Sequence, residues 1–226
     1  MTVWLIKLLL LAFAGVLFGR IAWMWWQDGR LRAARRSALF DSAEDLFSDG
    51  RKRVIETGFP RIAGTYAGQS FDLQVTPDTL NYRKLPALWV LYTLTEPQPV
   101  KATLDIMMRP RGVEPFSNFA KLPIQIEVPP GFPADCAIRT DNAAALPDLA
   151  ALLAATRALL ADPQVKELVI SPKGLRIVML AEEANRTRYL LFRDAEMGAP
   201  LPRATIKTAL DRLRDLAHTL ASADTK

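Results

Sequence analysis

The chain has 226 residues and a mass of 25.1 kDa, room for one ordinary domain and an attachment but not for a multidomain enzyme. Half of its residues are apolar and 23% are charged, which excludes wholesale disorder, and its one cysteine excludes an intrachain disulfide framework. The formal charge of +5 sits near the start: residues 1–53 hold nine Lys or Arg against five Asp or Glu, and the rest holds twenty against nineteen. No basic stripe is left over the body to follow a phosphate backbone, so nucleic acid is not expected as a partner.

From Trp4 to Trp26 the chain is apolar apart from Lys7 and Arg20, and it contains no proline. A helix from Trp4 to Trp23 rises about 28 Å, close to the hydrocarbon thickness of a bilayer. Trp4 marks one interface, and Trp23, Trp25 and Trp26 crowd the other as an aromatic belt does. Lys7 and Arg20 each lie near a belt, where a long side chain can carry its charge outward. A cleaved signal peptide is the competing reading, but the small-x-small site Ala12-Phe13-Ala14 falls too early in the apolar run. An uncleaved signal anchor over 1–27 is therefore expected.

Arg30, Arg32, Arg35 and Arg36 follow the span closely, against Lys7 and the amino terminus before it. By the positive-inside rule the body is cytoplasmic, the N-terminus outside, and the membrane the cell's inner or plasma membrane. The same arginines can meet anionic headgroups. Within the span Ala12, Gly15, Gly19 and Ala22 share one angular sector of about 80°. Such small residues let another helix approach, either a membrane-protein partner or a second copy.

Residues 28–57 turn from basic to acidic, and a short amphipathic helix continuing to about Gly50 is expected, followed by a linker with Arg51, Lys52 and Arg53. The body proper spans 58–226. Its early part alternates apolar and polar residues: 61–66 and 71–76 flank a turn at Gly68, and 88–95 and 101–109 flank Pro97 and Pro99, so two antiparallel hairpins are expected. Six prolines between 110 and 133 exclude helix and limit any strand there to an edge at Ile124–Val128. This loop carries Phe116, Phe119 and Phe132 and reads as a connector that plugs the core, or as a lid.

The last third reads as helix, three strands, helix. Pro147 opens a helix to about Ala161, strands 165–170 and 175–180 embrace Ser171-Pro172-Lys173-Gly174, Tyr189–Phe192 continues the sheet, and Pro202 opens a final helix. Hairpin-paired strands with segregated helices give an α+β fold: an N-terminal transmembrane helix, then a mainly antiparallel sheet with two packed helices, β-rich in its first half and α-β-β-β-α in its second. The halves 58–133 and 134–226 leave room for two lobes.

No catalytic set emerges. Cys136 and His218 are the only soft metal ligands, too few for structural zinc, and no glycine-rich phosphate loop is present, so neither metal nor cofactor is expected. His218 reads as a surface residue of the last helix, Cys136 as a buried thiol, Glu182, Glu183 and Asn185 as a polar turn, and Asp141 and Asn142 as turn residues. Arg109 and Arg111 could grip an anion but lack a supporting helix end. The helix at 147–161 sets Ala150, Ala151, Ala154, Ala155 and Ala158 opposite its leucines, a face an ordinary surface helix fills with charge, and this is the expected partner face. The expected function is that of a protein-binding accessory or assembly subunit of a membrane complex. The alternative is a membrane-tethered module holding a small ligand or lipid between sheet and proline-rich loop, and an enzyme comes third.

Overall fold

The computed structural model of the chain describes residues 2–79, 85–192, 195 and 197–224. Helix α1 (Thr2–Ser37) runs unbroken through the expected span and beyond it. It is the one helix among the described residues long and apolar enough to cross a membrane, and none of its most apolar window is buried in the protein. The expected extension to Gly50 is corrected here. The helix stops at Ser37 because Leu39 and Phe40, both fully buried, turn into the core, and a 3-10 turn follows at Asp41–Leu46. The basic step at 51–53 is no linker but part of strand β1 (Ser48–Val54), wholly exposed at the sheet edge, where cations discourage pairing with another chain.

Eight further strands follow: β2 (Pro60–Tyr66), β3 (Gln69–Asp78), β4 (Ala87–Leu94), β5 (Leu104–Met108), β6 (Ile124–Ile126), β7 (Cys136–Thr140), β8 (Val165–Ser171) and β9 (Gly174–Glu183). Together they form one antiparallel sheet in the order β1-β2-β3-β4-β9-β8-β5-β7-β6, shared by both halves of the body. The β2/β3 hairpin closes through Ala67 (φ 48°) and Gly68 (φ 85°), the paired positive dihedrals that suit a two-residue turn between right-twisted strands. The short β6 lies on the far edge, as the prolines require.

Two sequence expectations fail for topological reasons. Strands 88–95 and 101–109 do not pair with each other, since β9 and β8 lie between β4 and β5. Gly174 makes this insertion possible: it adopts φ 153°, and any Cβ there would overlap the Leu94 carbonyl. The connection after β4 instead crosses the tip of the β8/β9 hairpin, where the Gln98 N–H donates to the Pro172 carbonyl at 3.1 Å. Tyr189–Phe192 is not a strand but part of helix α3 (Arg186–Phe192), because β9 already occupies its sheet position as far as Glu183 and is paired on both edges.

Helices α2 (Leu149–Leu160) and α4 (Arg203–Asp224) cover one face of the sheet. Asp148 caps α2, its side chain accepting from the Ala150 N–H at 2.9 Å, so Pro147 precedes the helix rather than opening it. Ile206, Leu210, Leu213, Ala217 and Leu220 of α4 are buried against Val75, Val90, Tyr92, Ile177 and their neighbours. The fold is thus α+β with a long N-terminal apolar helix, as the sequence suggests.

The end of α1 is pinned to this core. The Leu201 N–H donates to the Leu39 carbonyl at 2.9 Å, Ser42 Oγ donates to the Leu201 carbonyl at 2.6 Å, and the Arg36 guanidinium lies 5.6 Å from the Phe59 ring centre. Asp45 pairs with Arg203, and Lys52 with both Asp41 and Glu44.

Candidate functional site

The chemically unusual part of the molecule is the sheet face that the helices leave uncovered. Strand alternation sends Leu104, Ile106 and Met108 toward the helices and Asp105 and Met107 to the other side, and register puts Asp105 beside Val169 of β8 and Arg139 of β7. Glu167 lies on the same face, opposite Met107 and Val178, with Arg176 of β9 opposite Val169 and Thr93. Asp105 is 2% exposed and Glu167 1%, an expensive burial for two carboxyls.

Both lie well above the ordinary carboxylate range. For Asp105 the causes are burial first and then the neighbouring Glu167 charge; for Glu167 burial dominates, opposed by the Ser117 hydrogen bond and the Arg176 charge. Asp105 Oδ1, buried, meets no N–H or hydroxyl donor. Ser117 Oγ donates to Glu167, while the Arg176 Nε–H donates to Thr93 Oγ1 at 3.1 Å. Half-buried Arg176 supplies a positive charge that opposes both shifts.

The cover over this cluster is the proline-rich loop. Phe116 is the one buried side chain in 110–122; it meets Trp89 with ring centres 5.1 Å apart and packs on Leu91, Met107 and Val178. Burying one phenylalanine is worth about 1.5–3 kcal/mol, too little to order a dozen residues alone. Polar attachments supply the rest. Buried Lys166 donates to the Met108 and Arg109 carbonyls at 2.9 and 2.6 Å and pairs with Glu114 at 3.2 Å; burial lowers its pKa. Arg139 donates to the Leu122 carbonyl at 2.7 Å and lies 5.6 Å from the Phe119 ring centre.

Beside the loop is a trough of about 570 Å³ on the same face. Its floor carries Thr93, Arg176, Val169 and Asp105, and Asn118 and Leu122 of the loop wall one side. A second cavity of about 180 Å³ on the other flank of the loop is lined by Trp89, Lys166, Glu114, Arg109 and Arg111 among others.

The residues singled out by sequence lie elsewhere or do structural work. Arg109 (φ 48°) spends its guanidinium on the Pro163 and Val165 carbonyls at 3.0 and 2.6 Å, and the Arg111 N–H donates to Glu114 at 2.7 Å. Glu182 accepts from the Gly198 and Ala199 N–H groups at 2.8 and 3.2 Å, Asp141 from the Thr103 N–H at 2.8 Å, and Asn142 from the Ala144 N–H at 3.1 Å. Cys136 is buried on β7, and burial raises its pKa; His218 and Asn185 are exposed, and Glu183 ends β9. Among the described residues no three His, Cys, Asp or Glu side chains gather as a metal site would need.

Ala150, Ala151, Ala154, Ala155 and Ala158 are all exposed on α2, opposite the buried Leu152, Leu153, Leu159 and Leu160. On α1, Ala12 and Ala22 are exposed, and a Cβ built at Gly15 or Gly19 would meet nothing within 4 Å. Trp4, Trp23, Trp25 and Trp26 are exposed. Arg30 stacks over Trp26 at 4.7 Å, Arg32 pairs with Asp28 at 2.6 Å, and Arg35 is on the same exposed stretch of helix.

Sequence reasoning missed Asp105, Glu167, Lys166 and Arg176. The signal was there: each is a charge inside a largely apolar stretch of strand, in LDIMM, VKELVIS and GLRIVMLAEE. Alternation alone assigns such charges to solvent, and only the loop laid beside them leaves Asp105, Lys166 and Glu167 buried and Arg176 half-buried.

No known protein family matches the chain, and none of the curated proteins does. Its architecture is loosely similar to the crystal structure of the mycobacterial trehalose monomycolate transport factor A, TtfA, with 14% identity, 84% of this chain and 94% of that chain covered, and a TM-score of 0.41.

Proposed function

We propose that this is a bitopic membrane protein whose cytoplasmic domain binds other proteins, as an accessory or assembly subunit of a membrane complex. The observation that carries the reading is α1, an apolar helix whose most apolar stretch has no buried residue and which is continuous with a body into which its end is packed. Exposed apolar surface of this extent is stable only in lipid or against another protein. The open sector at Ala12, Gly15, Gly19 and Ala22 supports contact with a second helix, and the bare alanine face of α2 supports contact outside the membrane. The arginines at 30, 32, 35 and 36 support a cytoplasmic body.

Gly15→Ile with Gly19→Ile fills the sector while keeping the helix apolar. The expected result is normal membrane insertion with reduced co-purification of a partner or of a second, tagged copy, while Leu9→Ile with Leu17→Ile does little. Unchanged assembly of the glycine double variant removes the span from the interface. A reporter fused after Lys226 should behave as cytoplasmic, and protease digestion of the body in intact spheroplasts would reverse the orientation.

A second reading is favoured by one observation, the trough of about 570 Å³ beside the covered carboxyl pair. It suits a small ligand held between sheet and loop. Mass spectrometry of small molecules released by denaturing the purified chain tests it, and a stoichiometric compound would bring this reading forward.

A further inference from the structure

The loop over 110–122 is fixed at its base and held lightly along its length. Arg109 is bound to β8 through its side chain and to the Asp135 carbonyl through its N–H at 2.7 Å, and the backbone then turns through Gly112 (φ 100°). Beyond that hinge the attachments are Glu114 to Lys166, Ser117 to Glu167, Arg139 to the Leu122 carbonyl, and the Phe116 side chain. Ser117 thus bonds to a carboxyl that lies beside a second buried carboxyl.

We propose that Asp105 and Glu167 form a proton-operated latch: with one proton between them the loop is shut on the sheet, and removing that proton releases residues 113–122, widens the trough and uncovers the strip Leu91, Met107 and Val178.

In the shut state the Asp105 hydroxyl donates to Glu167, Ser117 donates to the same carboxylate, and Arg176 neutralises the cluster. Removing the proton leaves two negative charges side by side against one guanidinium, in a place water does not reach. The pair cannot be hydrated from below, where Leu104, Ile106, Leu168 and Ile170 form the core, nor from the sides, where strands are hydrogen-bonded; it borders the trough, yet stays 2% and 1% exposed while the loop wall of Asn118 and Leu122 stands. Lifting the loop is the remaining route.

The charges that face the pair set the direction of the response. Arg176 comes from β9, Lys166 from β8 is committed to Glu114, Glu114 from the loop adds a repelling charge, and Asp141 and Lys173 stand at the trough. Arg139 of β7 is the direct register partner of Asp105, yet its guanidinium is turned to loop carbonyls. Ionised Asp105 attracts Arg139, and each step Arg139 takes toward it weakens the bond to Leu122. One proton therefore governs two of the loop's attachments. The latch operates whichever occupant the trough takes.

Hydrogen exchange of the full chain in detergent tests this, with rates corrected for the intrinsic effect of pH. The reporters are the N–H groups of Lys121 and Leu122, bonded to the Asn118 and Phe119 carbonyls at 2.8 and 3.2 Å, and of Phe119, bonded to Ser117 Oγ at 2.9 Å. Their protection should fall about tenfold or more between about pH 6 and about pH 9.5, while the β2/β3 amides keep theirs. Asp105→Asn, whose amide donates permanently to Glu167, should hold the loop protected across the range. Ser117→Ala leaves both carboxyls in place and should give low protection at every pH at Lys121 and Leu122, the two reporters whose acceptors it does not remove. Wild-type protection that does not change, an Asp105→Asn profile equal to wild type, a Ser117→Ala profile equal to wild type, or loss in β2/β3 together with the loop each overturns the latch.

Discussion

The two faces of the sheet are covered in opposite ways. On one, α2 and α4 bury aliphatic side chains, and the end of α1 adds Leu39 and Phe40 by the same means. On the other, a loop rich in proline brings one buried phenylalanine and is otherwise held by ion pairs and hydrogen bonds to buried charge. Apolar burial is indifferent to pH and cooperative with the whole core, whereas a cover held through ionisable groups has a strength that conditions can change. The first face builds the domain, and the second is where it can respond.

The comparison is broken most severely on the apolar side. Phe40 is fully buried at the junction of α1 and the body, and Phe40→Ala should cost about 3–5 kcal/mol in reversible denaturant unfolding. A loss under about 1 kcal/mol would mean that the junction is peripheral to the core.

The carboxyl side should show a smaller, pH-dependent effect whose sign is fixed. Both carboxyls sit above their unfolded values, so the folded chain keeps a proton that the unfolded chain releases. Their contribution to stability is fully present below the ordinary carboxylate range and declines as pH rises through neutrality toward the alkaline side, by up to about 1.4 kcal/mol per pH unit per proton. Asp105→Asn should flatten this decline. A wild-type unfolding free energy that is constant or rises over that window would contradict it.

The smallest effect is expected at His218. It is exposed on α4, and His218→Gln should change stability by less than about 0.5 kcal/mol and leave the cellular phenotype intact. A variant that folds and localises normally but loses function would instead bring an enzymatic reading to the front.

Much of this was legible before the fold was known. The span, the β2/β3 and β8/β9 hairpins, the edge position of β6 and the buried stripe of α4 follow from periodicity and turn residues, which act over a few positions. What was hidden depends on distant neighbours. Whether 88–95 pairs with 101–109 is decided by Gly174, some eighty residues away, letting β9 approach Leu94. YLLF at 189–192 suits helix or strand, and the occupied sheet decides. β1 carries the pattern SDGRKRV, in which no apolar face declares a strand. The candidate site was hidden for the same reason: Asp105 and Glu167 become neighbours only through the β5/β8 register, and buried only through a loop that the sequence marks by its prolines and not by what lies beneath it.

The way α1 enters the body has a mechanical consequence. Eleven helical residues separate Trp26 from Ser37, a rise of about 16 Å, and no flexible joint intervenes before Leu39 and Phe40 lock into the core. Helix α1 is therefore a shaft and the sheet its load. Any turn or tilt of the helix is carried to the sheet through this junction, so the rotation of α1 about its own axis decides which flank of the body faces a given side.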